Sequence, residues 1–334
     1  MKRTLILLVM TSVMLVFAGP ALAFDKVGTT AAQFLQIGVG GRLPGMGGAG
    51  VAFIDGPEAL YWNPARIVAG RRFALSLYYA DWIADLRHQF IGVTVPLSRF
   101  GTVGFHVISL GGGEFEQTTL SFPEGSGVMV EYRDIALGIS YARRLTDRFS
   151  VGGTAKYIHQ KLFHETATAP ALDLGTHLKT DLPGFSIGMA MTNLGGEMTL
   201  EGRDLLAEVE EGPQTEYQVS SWPLPLTFQV GIAWRLWGSQ DAVWHNDDYG
   251  GVLVLDGRHI NEGLTRWRTG FEYNFRHILF LRLGRVFGHH TEKWSFGNGL
   301  RIPVGSYLVE AHFAFADLGD LQGVQRISLQ ISGR

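Results

Sequence analysis

The sequence predicts an all-β protein: a closed antiparallel transmembrane β-barrel of about fourteen strands, with an N-terminal hatch segment inside the lumen. Three observations predict it. Apolar and polar residues alternate over runs of about ten residues, which suits a tilted membrane-crossing strand better than the usual five or six. The connections between these runs are mostly short at one end, and the longest lie at the other. Finally, 44 glycines with 21 Phe, 10 Tyr and 8 Trp favour many strands, tight turns and aromatic girdles.

Residues 1–23 read as a secretory signal peptide. Lys2 and Arg3 supply the charge, Leu5–Phe17 the apolar run, and Ala21-Leu22-Ala23 the cleavage site. The chain has no cysteine, which excludes a lipoprotein anchor, disulfides and cysteine-based zinc sites. Its net charge of −3 gives no electrostatic case for nucleic acid. No later run is long and apolar enough for a spanning helix. Export without a helical anchor, together with the strand pattern, points to the outer membrane of a bacterium.

Residues 24–70 form the expected hatch. Within them Gln36–Ala65 is too rich in glycine for a good helix or a well-packed strand, and Pro44, Pro57 and Pro64 interrupt it. Yet it carries Met46, Val51, Phe53, Ile54, Leu60, Tyr61 and Trp62, which need burial. Such a segment needs an enclosure, and residues 71–334 supply one. Its candidate motif is Gly45, Gly47, Gly48, Tyr61, Trp62, Asn63 and Pro64. Gly45–Gly50 formally matches G-x-G-x-x-G, but it lacks the preceding strand and following helix of a dinucleotide site.

Strands are expected near 72–80, 87–96, 101–111, 130–142, 149–163, 171–180, 185–194, 224–236, 251–258, 264–275, 278–287, 294–302, 306–317 and 324–332. The alternation is clearest in Leu226–Leu236, where Leu226, Phe228, Val230, Ile232, Trp234 and Leu236 oppose Thr227, Gln229, Gly231, Ala233 and Arg235. Ile232 is therefore expected to face lipid and Gln229 an interior roomy enough to accept Arg. Short turns follow even-numbered strands, whereas Gly112–Met129 and Gly195–Pro223 follow odd-numbered ones. A barrel with a periplasmic N-terminus has this asymmetry. Trp237–Gly250 disobeys it, being long on the periplasmic side, so it is either an excursion or a slip in the count.

Arg266, Arg268, Glu272 and Arg282 share the polar face of neighbouring strands and are expected to be charged groups in the lumen. The eleven histidines, including His289-His290, show no metal-ligand spacing, and the acidic stretch Glu197–Glu216 shows no calcium-loop spacing. Neither a metal nor a cofactor is expected, and no catalytic constellation stands out.

Gly28–Gly38, Arg42, Gly45-Met-Gly47-Gly48-Ala49 and Ala59-Leu-Tyr-Trp-Asn63-Pro64-Ala65 together resemble the start of PorV/PorQ-family outer-membrane proteins, relatives of the FadL-like barrels. The likeness continues in Leu172–Gly175, Thr192–Gly195, Gly270–Tyr273, Leu281–Gly284 and Arg326–Leu329. The resemblance implies a fourteen-stranded barrel, a hatch that includes Asn63-Pro64-Ala65, and association with type IX protein secretion. The alternative it carries is transport of hydrophobic small molecules, as in the FadL-like group. Expected partners are outer-membrane lipid, with secretion components, secreted cargo or hydrophobic small molecules beside it. One departure is the terminus Gln330-Ile-Ser-Gly-Arg334, which lacks the aromatic typical of a barrel-assembly signal.

Overall fold

A chain whose strands are apolar on one face and polar on the other can bury either face. The polar face goes inside here. The computed structural model describes residues 27–334 except Arg71, Glu114, 208–214, 217–218, Ser239, Gln240, Leu264, His289, His290 and Gln322. The signal-peptide reading, the His289-His290 pair and part of the acidic stretch therefore lie outside the described residues.

Fourteen long strands close into one antiparallel ring. They are β1 Ala74–Asp81, β2 Arg87–Pro96, β3 Thr102–Gly111, β4 Tyr132–Arg144 and β5 Phe149–Leu162. Next come β6 Glu165–Lys179, β7 Phe185–Gly195, β8 Thr227–Gly238, β9 Tyr249–Ile260 and β10 Arg266–Phe275. The last are β11 Leu279–Phe287, β12 Trp294–Val304, β13 Tyr307–Asp317 and β14 Gly323–Gly333. β14 pairs with β1, Leu329 opposite Leu77, so the ring has no free edge.

The two faces separate cleanly. Phe105, Ile139, Leu174 and Ile327 project outward and are half exposed or more. Ser76, Asp134, Thr154, Asp256, Glu272 and Arg326 point inward and are buried. Apolar outside and polar inside is the arrangement a barrel needs in lipid.

Two elements differ from expectation. β6 begins at Glu165 rather than near 171, because Glu165, Ala167 and Ala169 continue the buried face of the strand. Thr and Ala give little hydropathy contrast, and Pro170 hides the continuation. At the other place the strand count does not slip. β8 and β9 extend to Gly238 and from Tyr249, and the excursion between them folds back so that Trp244–His245 pairs in parallel with Trp237–Gly238.

Ile232 lies on the outer side of β8, opposite Ile187 and Leu255. Ile232→Arg should cost about 2–4 kcal/mol if the residue sits near the midplane, read as a lower urea midpoint in lipid vesicles. Gln229 faces inward but is not in open space. It is buried and donates to Asp256 Oδ2 at 2.8 Å, so Arg would overpack there and the expected tolerance is withdrawn.

Candidate functional site in the barrel lumen

The inner faces of the strands enclose the N-terminal segment. Its Phe34, Val39, Leu43, Met46, Ile54, Leu60 and Ile67 are almost completely buried and share the apolar core of the molecule with inward strand residues such as Phe90, Ile108 and Ile158. Glycine and proline prevent long regular elements, so the segment runs as short turns: Gln33–Gln36, Pro44–Met46, one helical turn at Ala59–Trp62, and Pro64–Ala69.

A segment without sheet partners must find partners for its backbone elsewhere. Wall side chains supply several. Gly41 N donates to Ser328 Oγ at 3.0 Å and Gly47 N to Ser295 Oγ at 2.7 Å. Gly50 and Val51 both donate to Asp256 Oδ2, at 2.8 and 2.9 Å, and Ala32 N donates to Gln160 Oε1 at 3.0 Å. These partners escaped the sequence reading, since alternation shows which way a side chain points but not what lies opposite it.

The wall is also shaped for close approach. Gly152 faces Gly175, Gly188 faces Gly231, and Gly270 faces Gly284 across neighbouring strands. A Cβ at Gly152 would lie 2.6 Å from Pro64 C, and one at Gly188 2.6 Å from Ala52 Cα. At Gly284 it would collide with the backbone of Met46 and Gly47. Gly47 and Gly48 themselves take φ of 69° and 70°, which favours glycine. Gly45 packs on Gly297, with 3.0 Å between a Cβ placed there and the Gly297 Cα.

Asn63 is fully buried. Its Nδ2 donates to Val51 O at 2.9 Å and to Thr176 O of β6 at 3.1 Å, and its Oδ1 accepts from Ala65 N at 3.1 Å. Pro64 follows as the first residue of the next turn, where its missing N–H costs nothing. Trp62 Nε1 donates to Val39 O and Tyr61 Oη to Leu35 O, at 3.1 and 3.0 Å. The two rings meet edge to face at 4.9 Å.

The four strand charges divide into two sets. Glu272 sits between Arg42 of the N-terminal segment, at 3.2 Å, and Arg282, at 2.7 Å. Arg42 also reaches Asp55 at 2.6 Å. Burial alone would lower the pKa of the Arg42 guanidinium, but Glu272 and Asp55 outweigh it and raise the value. Arg282 continues to His312 Nδ1 at 3.3 Å. Arg266 and Arg268 lie elsewhere, lining a cavity of about 250 Å³ at the end of the barrel that carries the longest connections. Arg258 and Arg326 join them there beside Trp62, Trp82, Ile37 and Leu318. The Nε atoms of Arg258, Arg268 and Arg326 are buried without a hydrogen-bond partner.

Glu262, in the β9–β10 connection at the same end, holds the beginning of the described segment. It accepts from Thr30 Oγ1 at 2.8 Å, Gln33 Nε2 at 2.7 Å and Gln36 Nε2 at 2.5 Å. Burial pushes this carboxyl up, but hydrogen bonds from Gln36, Gln33, Thr30 and the Gly28 backbone outweigh it and hold it below its ordinary 4.5. A depressed carboxyl stabilises the fold fully above its unfolded value and loses that contribution as pH falls through its folded one. Acidification from pH 4.5 downward should therefore loosen residues 27–36 first, read as faster hydrogen exchange there, and Glu262→Gln should remove the pH dependence.

Among the described residues no group of His, Asp and Glu is placed to hold a metal ion.

Solved structures that share the fold include three outer-membrane proteins. The toluene transporter TbuX of Ralstonia pickettii has a TM-score of 0.54 at 15% identity, over 88% of this chain and 97% of its own. The toluene transporter TodX of Pseudomonas putida gives 0.54 at 13%, over 88% and 97%. A FadL homologue of Pseudomonas aeruginosa gives 0.51 at 12%, over 93% and 99%. Comparison with curated proteins gave no match. The family described as "Type IX secretion system protein PorV" matches residues 22–196, just over half of the chain and including the whole N-terminal segment. With a closed, lipid-faced barrel around that segment, the chain is a bacterial outer-membrane protein and belongs to the PorV family of type IX secretion system proteins.

Proposed function

We propose that this protein serves type IX secretion as a closed barrel whose N-terminal segment, residues 27–70, acts as a fixed hatch. Cargo then engages its surfaces and not its lumen. The observation that carries this reading is the attachment of the segment around the wall. Side chains or carbonyls of β5, β6, β9, β10, β12 and β14 all bond to it. Moving it would break these bonds together, and a secreted protein could not pass beside it. The partners are secretion components or cargo that meet the exposed loops, with lipid around the wall.

A second reading is uptake of hydrophobic small molecules. The cavity beside Trp62 and Trp82 supports it, as do the toluene transporters among the fold relatives. Against it, the strands pair all the way around the ring among the described residues, with bulges between Leu172 and Leu174 of β6 and between Arg235 and Trp237 of β8. Deleting the gene separates the two readings. The secretion role predicts that cargo proteins fail to reach the cell surface while uptake of labelled toluene is unchanged. Normal surface delivery with lost uptake would reverse the assignment.

A further inference from the structure

The opposite mouth of the barrel, where the short turns lie, holds a second cavity of about 280 Å³. Its floor is the end of the N-terminal segment, through Arg66, Val68 and Ala69. Its walls are the ends of β4, β5, β6 and β8, which contribute Arg144, Ser150, His177, Lys179 and Arg235. Arg148 and Asp241 complete the rim.

Five cations line this space against three carboxylates, and much of that acid is already engaged. Asp55 holds Arg42 at 2.6 Å, and Asp241 lies 3.4 Å from Lys179. Arg148 pairs with Asp181 outside the cavity. Among the described residues, Arg66, Arg144 and Arg235 have no carboxylate within ion-pair distance. Arg66 decides the character of the site. It is only 6% exposed, yet its guanidinium is fixed by neutral groups alone: Nε donates to Ile54 O at 2.7 Å, Nη2 to Phe53 O at 3.4 Å, and Nη1 lies 3.2 Å from His177 Nε2. Burial lowers its pKa to about 10, with Asp55 opposing and Arg235 and Arg42 adding to the fall, so it stays charged at neutral pH.

A buried cation without a counter-ion is costly. Here it borders a cavity at the short-turn mouth of the barrel, shared with two further unpaired guanidiniums. We propose that this inner mouth is a binding site for a multiply charged oxyanion of phosphate type, held by Arg66, Arg144 and Arg235. Guanidinium groups match such oxygens with paired, charge-assisted hydrogen bonds. The cavity is several times the roughly 30 Å³ that a water occupies in the liquid, which leaves room for a pyrophosphate-sized group. The same chemistry comes from a free periplasmic anion or from a phospholipid headgroup.

Calorimetric titration of the purified, detergent-solubilised full-length protein tests this. Inorganic pyrophosphate is one arm and a short-chain phosphatidic acid the other. The expected result is one saturable site per chain, weakened at least about tenfold by Arg235→Gln and by Arg144→Gln, since each removes a charged hydrogen-bond donor. Arg276→Gln, in the short β10–β11 turn at the same end of the barrel but outside this cavity and paired with Asp248 at 3.2 Å, should change nothing. Heat-dependent gel mobility confirms that each variant is assembled. Saturable binding in the pyrophosphate arm assigns a free anion, and in the lipid arm alone a headgroup. The proposal is overturned if neither arm saturates, or if Arg276→Gln weakens binding as much as the other two variants.

Discussion

Glu272→Ala is expected to destabilise the protein by about 3–5 kcal/mol, because it takes the carboxylate from buried Arg282 and leaves Arg42 with Asp55 alone. Arg42 and Arg282 approach this one carboxylate from opposite sides, and all three side chains are nearly or wholly inaccessible to water. Without it, two guanidiniums share a small space, and Asp55 reaches only that of Arg42. The contrast is Asp248→Asn. The Arg276–Asp248 pair is exposed, and such pairs are worth about 0–1 kcal/mol. Urea unfolding in lipid vesicles should place the two variants far apart. Equal midpoints would mean that the lumen is wet enough to solvate Arg42 and Arg282 separately.

Gly284→Val should have an effect of similar size by a different route. Overpacking a filled interior costs about 1–3 kcal/mol and occasionally more. The upper end applies here because the obstacle at Gly284 is the backbone of Met46 and Gly47, which cannot swing away as a side chain can. The strand itself tolerates valine, so the barrel should still assemble with residues 27–70 displaced. Limited proteolysis would then cut that segment in the variant and spare it in the parent. Resistance equal to the parent's would show that the segment does not sit against β11.

Most of the fold was legible in the sequence, because the period of two survives wherever one face carries bulky apolar groups. It failed over 165–170, where the inward residues are Glu165, Ala167 and Ala169 and the outward ones are Thr166, Thr168 and Pro170. The lumen was much less legible. Glu272 and Arg282 stand opposite each other on strands joined by a tight turn, so their pairing follows from register. That Arg42 completes the group depends on a contact 230 residues away in sequence, which no local pattern encodes. Ser295, Ser328 and Asp256 read as ordinary inward polar residues until the segment that they bond is in place. The paired glycines of the wall likewise read as turn or flexibility signals, whereas they mark where the Met46–Gly47 and Ala52 backbones approach.

Conductance in planar lipid bilayers tests the central claim, that residues 27–70 close the lumen. The full-length protein should insert without appreciable conductance. Deletion of residues 27–70 should yield an assembled barrel with large, poorly selective current steps, because the space now filled by Phe34, Leu43, Met46 and Leu60 would fill with water. Large steps from the intact protein, or an assembled deletion variant that conducts no more than the parent, would contradict it.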